Sequence, residues 1–136
     1  FRGQKIIGDE LANQMNKPRR RGIFLVIRRV PNWATFPWGI VDVLKEYNLK
    51  GRWWFRVPVS YLKPAIANGH ILMPIVGEWR PNPWAHVKTL VAWDPDKGWG
   101  FADTQTSHKR ISWRSDKGFK NKWNNYGRLL VEVEKP

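Results

Sequence analysis

The sequence predicts an α+β fold, with helices in the N-terminal half followed by an antiparallel β-sheet. Three observations carry this expectation. Helical periodicity falls mainly before Gly69, and from His70 onward short runs rich in Val, Leu, Ile and aromatics take over. Two of those runs flank "DPDKG" (Asp94 to Gly98), whose Asp, Pro and Gly suit a hairpin turn. Helical segments followed by strands in series define an α+β arrangement.

Taken in order, "GDELANQMNK" reads as a short amphipathic helix with Asp9 at its start and Leu11, Ala12 and Met15 on its apolar side. Asp9 with Glu10 is a helix start and not an acid–base pair. Pro18 and the following arginines break the pattern. "RGIFLVIRRV" is an apolar block between charges, which periodicity does not divide between strand and buried helix. "PNWATFPWG" is turn-rich. "PWGIVDVLKEYNLKG" is a helix with Pro37 in its first turn, Ile40, Val43, Leu44 and Tyr47 on one face, and Asn48 closing it. "RWWFRV" has strand character. Ser60 is placed to cap a third helix running to Asn68, which tolerates Pro64 only near its first turn. Four strands follow: "HILMPIV", "HVKTLVAW", "GWGFAD" and "RLLVEVE". Ser115 caps a helical turn in "SDKGFKNKWNNYG", between the last two.

At 136 residues the chain is one domain, 1–136, long enough to bury a core, and its ten Trp exclude a disordered segment. No apolar run reaches the length of a membrane span. A chain that begins at Phe1 and not Met reads as a processed product or part of something longer. With no Cys there is no disulfide, thiolate metal site or cysteine nucleophile within these residues. The 24 Lys+Arg against 11 Asp+Glu give a net charge of +13, which predicts attraction to an anionic partner: nucleic acid, anionic lipid, a wall polymer or an acidic protein. The densest basic runs are "KPRRRG", Arg28-Arg29 and "SHKR". They suit a docking surface better than a reader of base sequence, since no recognition-helix pattern accompanies them.

Chemistry-bearing residues are few. His86 opens one strand and Asp103 closes the strand that returns. If Asp94 pairs with Trp99, the symmetric hairpin places Asp103 opposite Leu90, on the side of Lys88 and His86. The two are then four positions apart, roughly 13 Å along the strand, so a bulge or an asymmetric turn is needed to join them. On spacing alone His86 is a structural or surface histidine. Asp94 and Asp96 begin like a calcium loop, but Gln105 stands where a bidentate Glu is required, so a turn is preferred. His70 and His108 are isolated, no metal-ligand spacing occurs, and no glycine-rich phosphate loop is present. No cofactor is expected.

A histidine leading an apolar strand, then "AWDPDKGWGFAD", a helix and a final "GRLLVEV", resembles the C-terminal half of a papain-like cysteine peptidase. The most similar branch is the bacteriocin-processing, double-glycine type. "IIGDELANQM" resembles that family's segment after its nucleophile helix, and "VDVLKEYNL" its next helix, so the likeness runs from about Ile6 to Val133. The resemblance implies a papain-like fold in which His86 is the catalytic histidine and Asp103, 17 positions on, orients it. It also implies a nucleophile Cys on a first helix, preceded by an oxyanion-hole Gln. Neither has a counterpart here, and Gln4 does not take that role. Ala85 stands where Gly is common before the histidine, and Thr104 where Pro often follows the aspartate.

The expectation is therefore a single papain-like domain missing its nucleophile helix, inactive as it stands or serving as a binding or accessory subunit. The alternative is a basic, Trp-rich protein docking on nucleic acid or on another anionic partner. A peptide or protein partner fits the first reading, and the basic surface fits membership of a larger, membrane-associated assembly. Nucleic acid is the weaker candidate, because tryptophans in or beside strands are first of all core residues. The resemblance points to a bacterial, extracytoplasmic or membrane-associated setting.

Overall fold

Residues 8–31, 34–102 and 111–134 are described by a computed structural model; they fall into two units, Phe1–Leu49 and Lys50–Pro136.

In the first unit, α1 (Gly8–Asn16) is the expected helix, with Leu11, Ala12 and Met15 half-buried; the side chain of Asp9 lies outside the described ones. The ambiguous apolar block is extended. Strands β1 (Arg19–Arg21) and β2 (Phe24–Val26) form an antiparallel ribbon, and β3 (Arg29–Val30) pairs with β4 (Ala34–Thr35). The first half is therefore not purely helical. Arg28, between β2 and β3, is buried at 5% exposure. Its guanidinium donates to the Lys17 carbonyl at 3.3 Å, to the Gln14 carbonyl and to Glu46 at 2.8 Å. Those acceptors make burial of a charge tolerable, and they remove Arg28 from any docking surface.

Helix α2 (Pro37–Glu46) starts with Pro37 at its first position, where a missing N–H costs nothing. Its buried side runs through Gly39, Asp42 and Val43 with Val41 beside them, while Ile40, Leu44 and Tyr47 are only half-buried. Gly39 explains the displaced stripe. A Cβ there would lie 2.4 Å from the Arg28 carbonyl oxygen, so the helix rests against backbone at its one position without a side chain. Asn48, with φ 56°, closes the helix in the left-handed conformation, and the Leu49 N–H returns to the Leu44 carbonyl at 2.9 Å.

The second unit holds β5 (Gly51–Trp54), α3 (Val59–Ala67), β6 (Ile71–Glu78), β7 (Trp84–Val87), β8 (Thr89–Asp94), β9 (Gly98–Ala102), β10 (Ile111–Arg114), α4 (Asp116–Asn124) and β11 (Leu130–Val133). Its strands make one antiparallel sheet in the order β10-β9-β8-β6-β11-β5, with β7 also paired to β6. The last strand enters between β6 and β5, so every residue of β11 is buried. That position accounts for the near-continuous apolar run "LLVEV".

Two details of the helices depart from expectation. Ser60 lies inside the first turn of α3, which Pro58 precedes as cap, and Pro64 sits well within the helix. The carbonyl that Pro64 leaves unpaired belongs to Ser60, and both residues are exposed, so water can satisfy it. A full helix, α4, separates the last two strands, so helices do not simply precede the sheet. Ser115 caps it as predicted, accepting the Gly118 N–H at 3.2 Å. The core joins Val57, Leu62 and Ala65 to Leu72, Val76, Leu90, Trp99, Phe101, Phe119, Trp123 and Leu130.

Candidate active site

The strand read as "HVKTLVAW" is one extended run interrupted at Lys88. Both halves keep the same register on β6: Val76 faces His86 and Leu72 faces Leu90, while the Lys88 N–H donates to the Pro74 carbonyl at 3.2 Å. Residues opposite each other share a face, so half-buried His86 stands on the side of the sheet that carries Val76 and Leu90.

The hairpin is neither symmetric nor regular. Asp94 pairs with Gly98 and Trp93 with Trp99, one step from the symmetric register. The Asp94 carboxylate accepts the N–H groups of Lys97 and Asp96, both at 2.9 Å, which builds the turn and holds this carboxyl below its usual range. The calcium-loop alternative is thereby replaced by a turn. A bulge between Leu90 and Ala92 adds a second step, so Leu90 faces Phe101 and Thr89 faces Ala102. The ladder has moved two residues, roughly 7 Å, toward the His86 end of the run. Asp103 follows Ala102 and lies outside the described residues, as do Gln4, Gln105, His108 and the "SHKR" run.

The β6–β7 hairpin that carries His86 is fastened to the end of α4. Lys122 meets Glu78 at 3.1 Å and lies over the Trp84 ring, and the Tyr126 hydroxyl donates to the Trp84 carbonyl at 2.8 Å. The Asn125 side chain donates to the Gly77 carbonyl at 2.9 Å, Trp79 Nε1 donates to the Asn125 carbonyl at 2.7 Å, and Trp79 stacks on Tyr126. A Cβ on Gly77 would lie 2.0 Å from the Trp84 carbonyl oxygen and 2.7 Å from the Tyr126 ring. Gly77→Ala should therefore cost about 1–3 kcal/mol or more, because the obstacle is backbone. Urea unfolding measures it, and a loss within about 0.5 kcal/mol, the range of neutral surface changes, would contradict this packing.

A second polar constellation escaped the sequence reading. Glu132, fully buried on β11, stands opposite Arg52 on β5 and Leu72 on β6. Its Oε2 accepts from Arg52 Nε at 2.7 Å; its Oε1 accepts from the Tyr61 hydroxyl at 2.5 Å and from His70 Nδ1 at 2.6 Å. Arg52 also donates to the Tyr61 hydroxyl at 2.8 Å and covers the Trp54 ring. Burial pushes the Glu132 carboxyl up, but the donors from His70, Tyr61 and Arg52 outweigh it and hold the group below the usual carboxylate range. Burial and the carboxylate together raise the Tyr61 hydroxyl. With its lone pairs engaged by three donors, Glu132 fastens α3, β5, β6 and β11 and has little capacity left for reaction. The available signal was a carboxylate inside an apolar strand, which is rarely buried without partners. Among the described residues no group of His, Asp and Glu has the geometry to hold a metal ion.

No family model matches the chain, and no curated protein matches its sequence. Among solved structures, a crystal structure from Bacillus anthracis described as a C39-like peptidase superposes with a TM-score of 0.71. The match covers 98% of this chain and 82% of that one, at 13% sequence identity. The chain therefore shares the fold of that C39-like peptidase structure, as the resemblance implied.

Proposed function

We propose that the chain is a C39-type, papain-like peptidase domain, 1–136, which with no thiol among these residues is inactive as it stands or works as a binding or accessory subunit. The observation that carries this reading is a peptidase fold matched across nearly the whole chain with no Cys in 136 residues. In a thiol peptidase the thiolate attacks the carbonyl, the histidine accepts and returns the proton, and the carboxylate holds the ring's tautomer. His86 and Asp103 would fill the last two roles. The bulge and asymmetric turn support the pairing, since both shift the ladder in the direction it requires. With no thiol to deprotonate, the pair would orient a bound peptide strand without cleaving it.

The tryptophans bear on the nucleic-acid alternative in both directions. Trp99 and Trp123 are core, but Trp79 is 58% exposed on Tyr126, and Trp84 and Trp93, expected in the core, are 38% and 39% exposed beneath Lys122 and Lys63. The test is an assay of the purified 136-residue chain on peptides carrying a double-glycine cleavage site. No turnover is expected, for the parent and for His86→Ala alike. Turnover that His86→Ala abolishes would overturn the proposal and point to a hydroxyl nucleophile, Ser60 or Ser112.

A further inference from the structure

The ribbon formed by β1 and β2 exposes more apolar surface than a folded chain usually leaves in water. Ile23 is 86% exposed, Phe24 70%, Leu25 69% and Ile27 54%. All four fall within residues 23–27, interrupted only by half-buried Val26, close to three successive arginines that are also exposed. Apolar exposure of this kind marks a surface that another phase or molecule covers.

The arrangement indicates which. Arg21 pairs with Phe24 and Arg19 with Val26 on one side of the ribbon, while Arg20 pairs with Leu25 on the other. Both sides therefore carry a base and an apolar residue, and the ribbon has no separate wet and dry face. Apolar and basic residues instead stand at the same levels: the turn at Gly22 and Ile23 forms an exposed tip, Phe24 and Leu25 lie beside Arg21 and Arg20 just behind it, and Arg19 and Lys17 follow. Gly22, at φ 61°, makes the tight tip possible. Arg19 and Arg21 also reach Glu46 and Asp42, which tie one side of the ribbon to α2 up to the residue before the turn; their side chains stay 42% and 52% exposed.

A protein groove would call for one apolar face. An exposed apolar tip flanked by arginines fits a plane in which hydrocarbon lies beneath a layer of negative headgroups, because the long arginine side chains can reach back to that layer. We propose that residues 17–27 dock this chain on an anionic lipid bilayer, with Ile23, Phe24 and Leu25 entering the acyl boundary and the arginines at headgroup level. This surface belongs to the first unit and does not depend on the peptidase reading.

Co-sedimentation of the full chain with phosphatidylcholine vesicles, with and without phosphatidylglycerol, tests it. Binding should require the anionic lipid and weaken as salt rises. Arg20→Ala should lower the partition coefficient about fivefold, and Ile23→Asp or Phe24→Asp by tenfold or more. These side chains are exposed, so the variants should retain the parent's circular dichroism. Because the chain has no Cys, Ile23→Cys offers one site for an environment-sensitive dye, whose emission should shift to the blue on anionic vesicles. Vesicle binding unchanged by Ile23→Asp and Phe24→Asp would overturn the proposal. So would an absence of vesicle binding alongside tight DNA binding that Arg20→Ala weakens and Ile23→Asp leaves intact.

Discussion

Glu132→Ala should lower the unfolding free energy by about 3 kcal/mol, the cost of leaving several donors without their carboxylate. Domains of this size are stable by about 5–15 kcal/mol, so the variant loses a fifth or more of its stability. The loss arises from what the carboxylate leaves behind: the half-buried Tyr61 hydroxyl and His70 Nδ1 would each lose an acceptor, while the Arg52 guanidinium, 54% exposed, can turn to water. Glu132→Gln keeps one acceptor oxygen and the shape, and should cost less, about 1.5 kcal/mol. The two variants also differ from the parent in acid. The folded-state carboxyl titrates below the ordinary value of 4.5, so its contribution is complete above that value and is lost as pH falls through the folded-state pKa. Parent and Glu132→Gln should therefore converge in urea midpoint as the solution is acidified. If they lose stability in parallel from neutral pH downward, another group is responsible, such as Glu78 or Asp116, whose carboxyls Lys122 and Lys120 hold low.

What the sequence disclosed follows from which interactions are local. Pro37 at a helix start, Asn48 at its end, the Ser115 cap and the Asp94 turn all act through neighbouring residues, and each is where the sequence predicted it. The apolar block around Phe24 to Val26 had no period to read, because its strands are too short and too exposed to alternate. Arg28 is buried by acceptors from Gln14, Lys17 and Glu46, scattered along the chain, which no local pattern signals. The Glu132 cluster joins residues up to 80 positions apart, and His70 therefore looked isolated. For His86 the sequence supplied the residue and its strand. The register that β9 takes beside its strand depends on an asymmetric turn and on a bulge between Leu90 and Ala92, and no local pattern signals the bulge.

Trp123→Ala is the second large effect, about 3–5 kcal/mol for deleting a fully buried Trp. The ring closes the core of the second unit. It stacks on Phe119 at 5.3 Å, and Phe119 in turn packs against Trp99 and Phe101 at 5.4 and 5.3 Å. Its Nε1 donates to the Leu129 carbonyl at 2.8 Å, and its own carbonyl accepts the N–H groups of Tyr126 and Arg128. The turn that holds the β6–β7 hairpin is therefore built on Trp123, and the consequence should not stop at stability. Trp123→Phe keeps most of the stacking and removes one of two donors to the Leu129 carbonyl, which retains the Ile75 N–H at 3.1 Å, and should cost about 0.5–1.5 kcal/mol. Trp123→Ala should in addition speed amide hydrogen exchange along Gly77 and Trp84–Val87, because Asn125 and Tyr126 lose their seat on that hairpin. Both readouts can fail independently. A Trp123→Ala variant within 1 kcal/mol of the parent would mean that this core can collapse around the missing ring. A large loss of stability with unchanged exchange at the hairpin would mean that the strand carrying His86 holds its position through β6 alone.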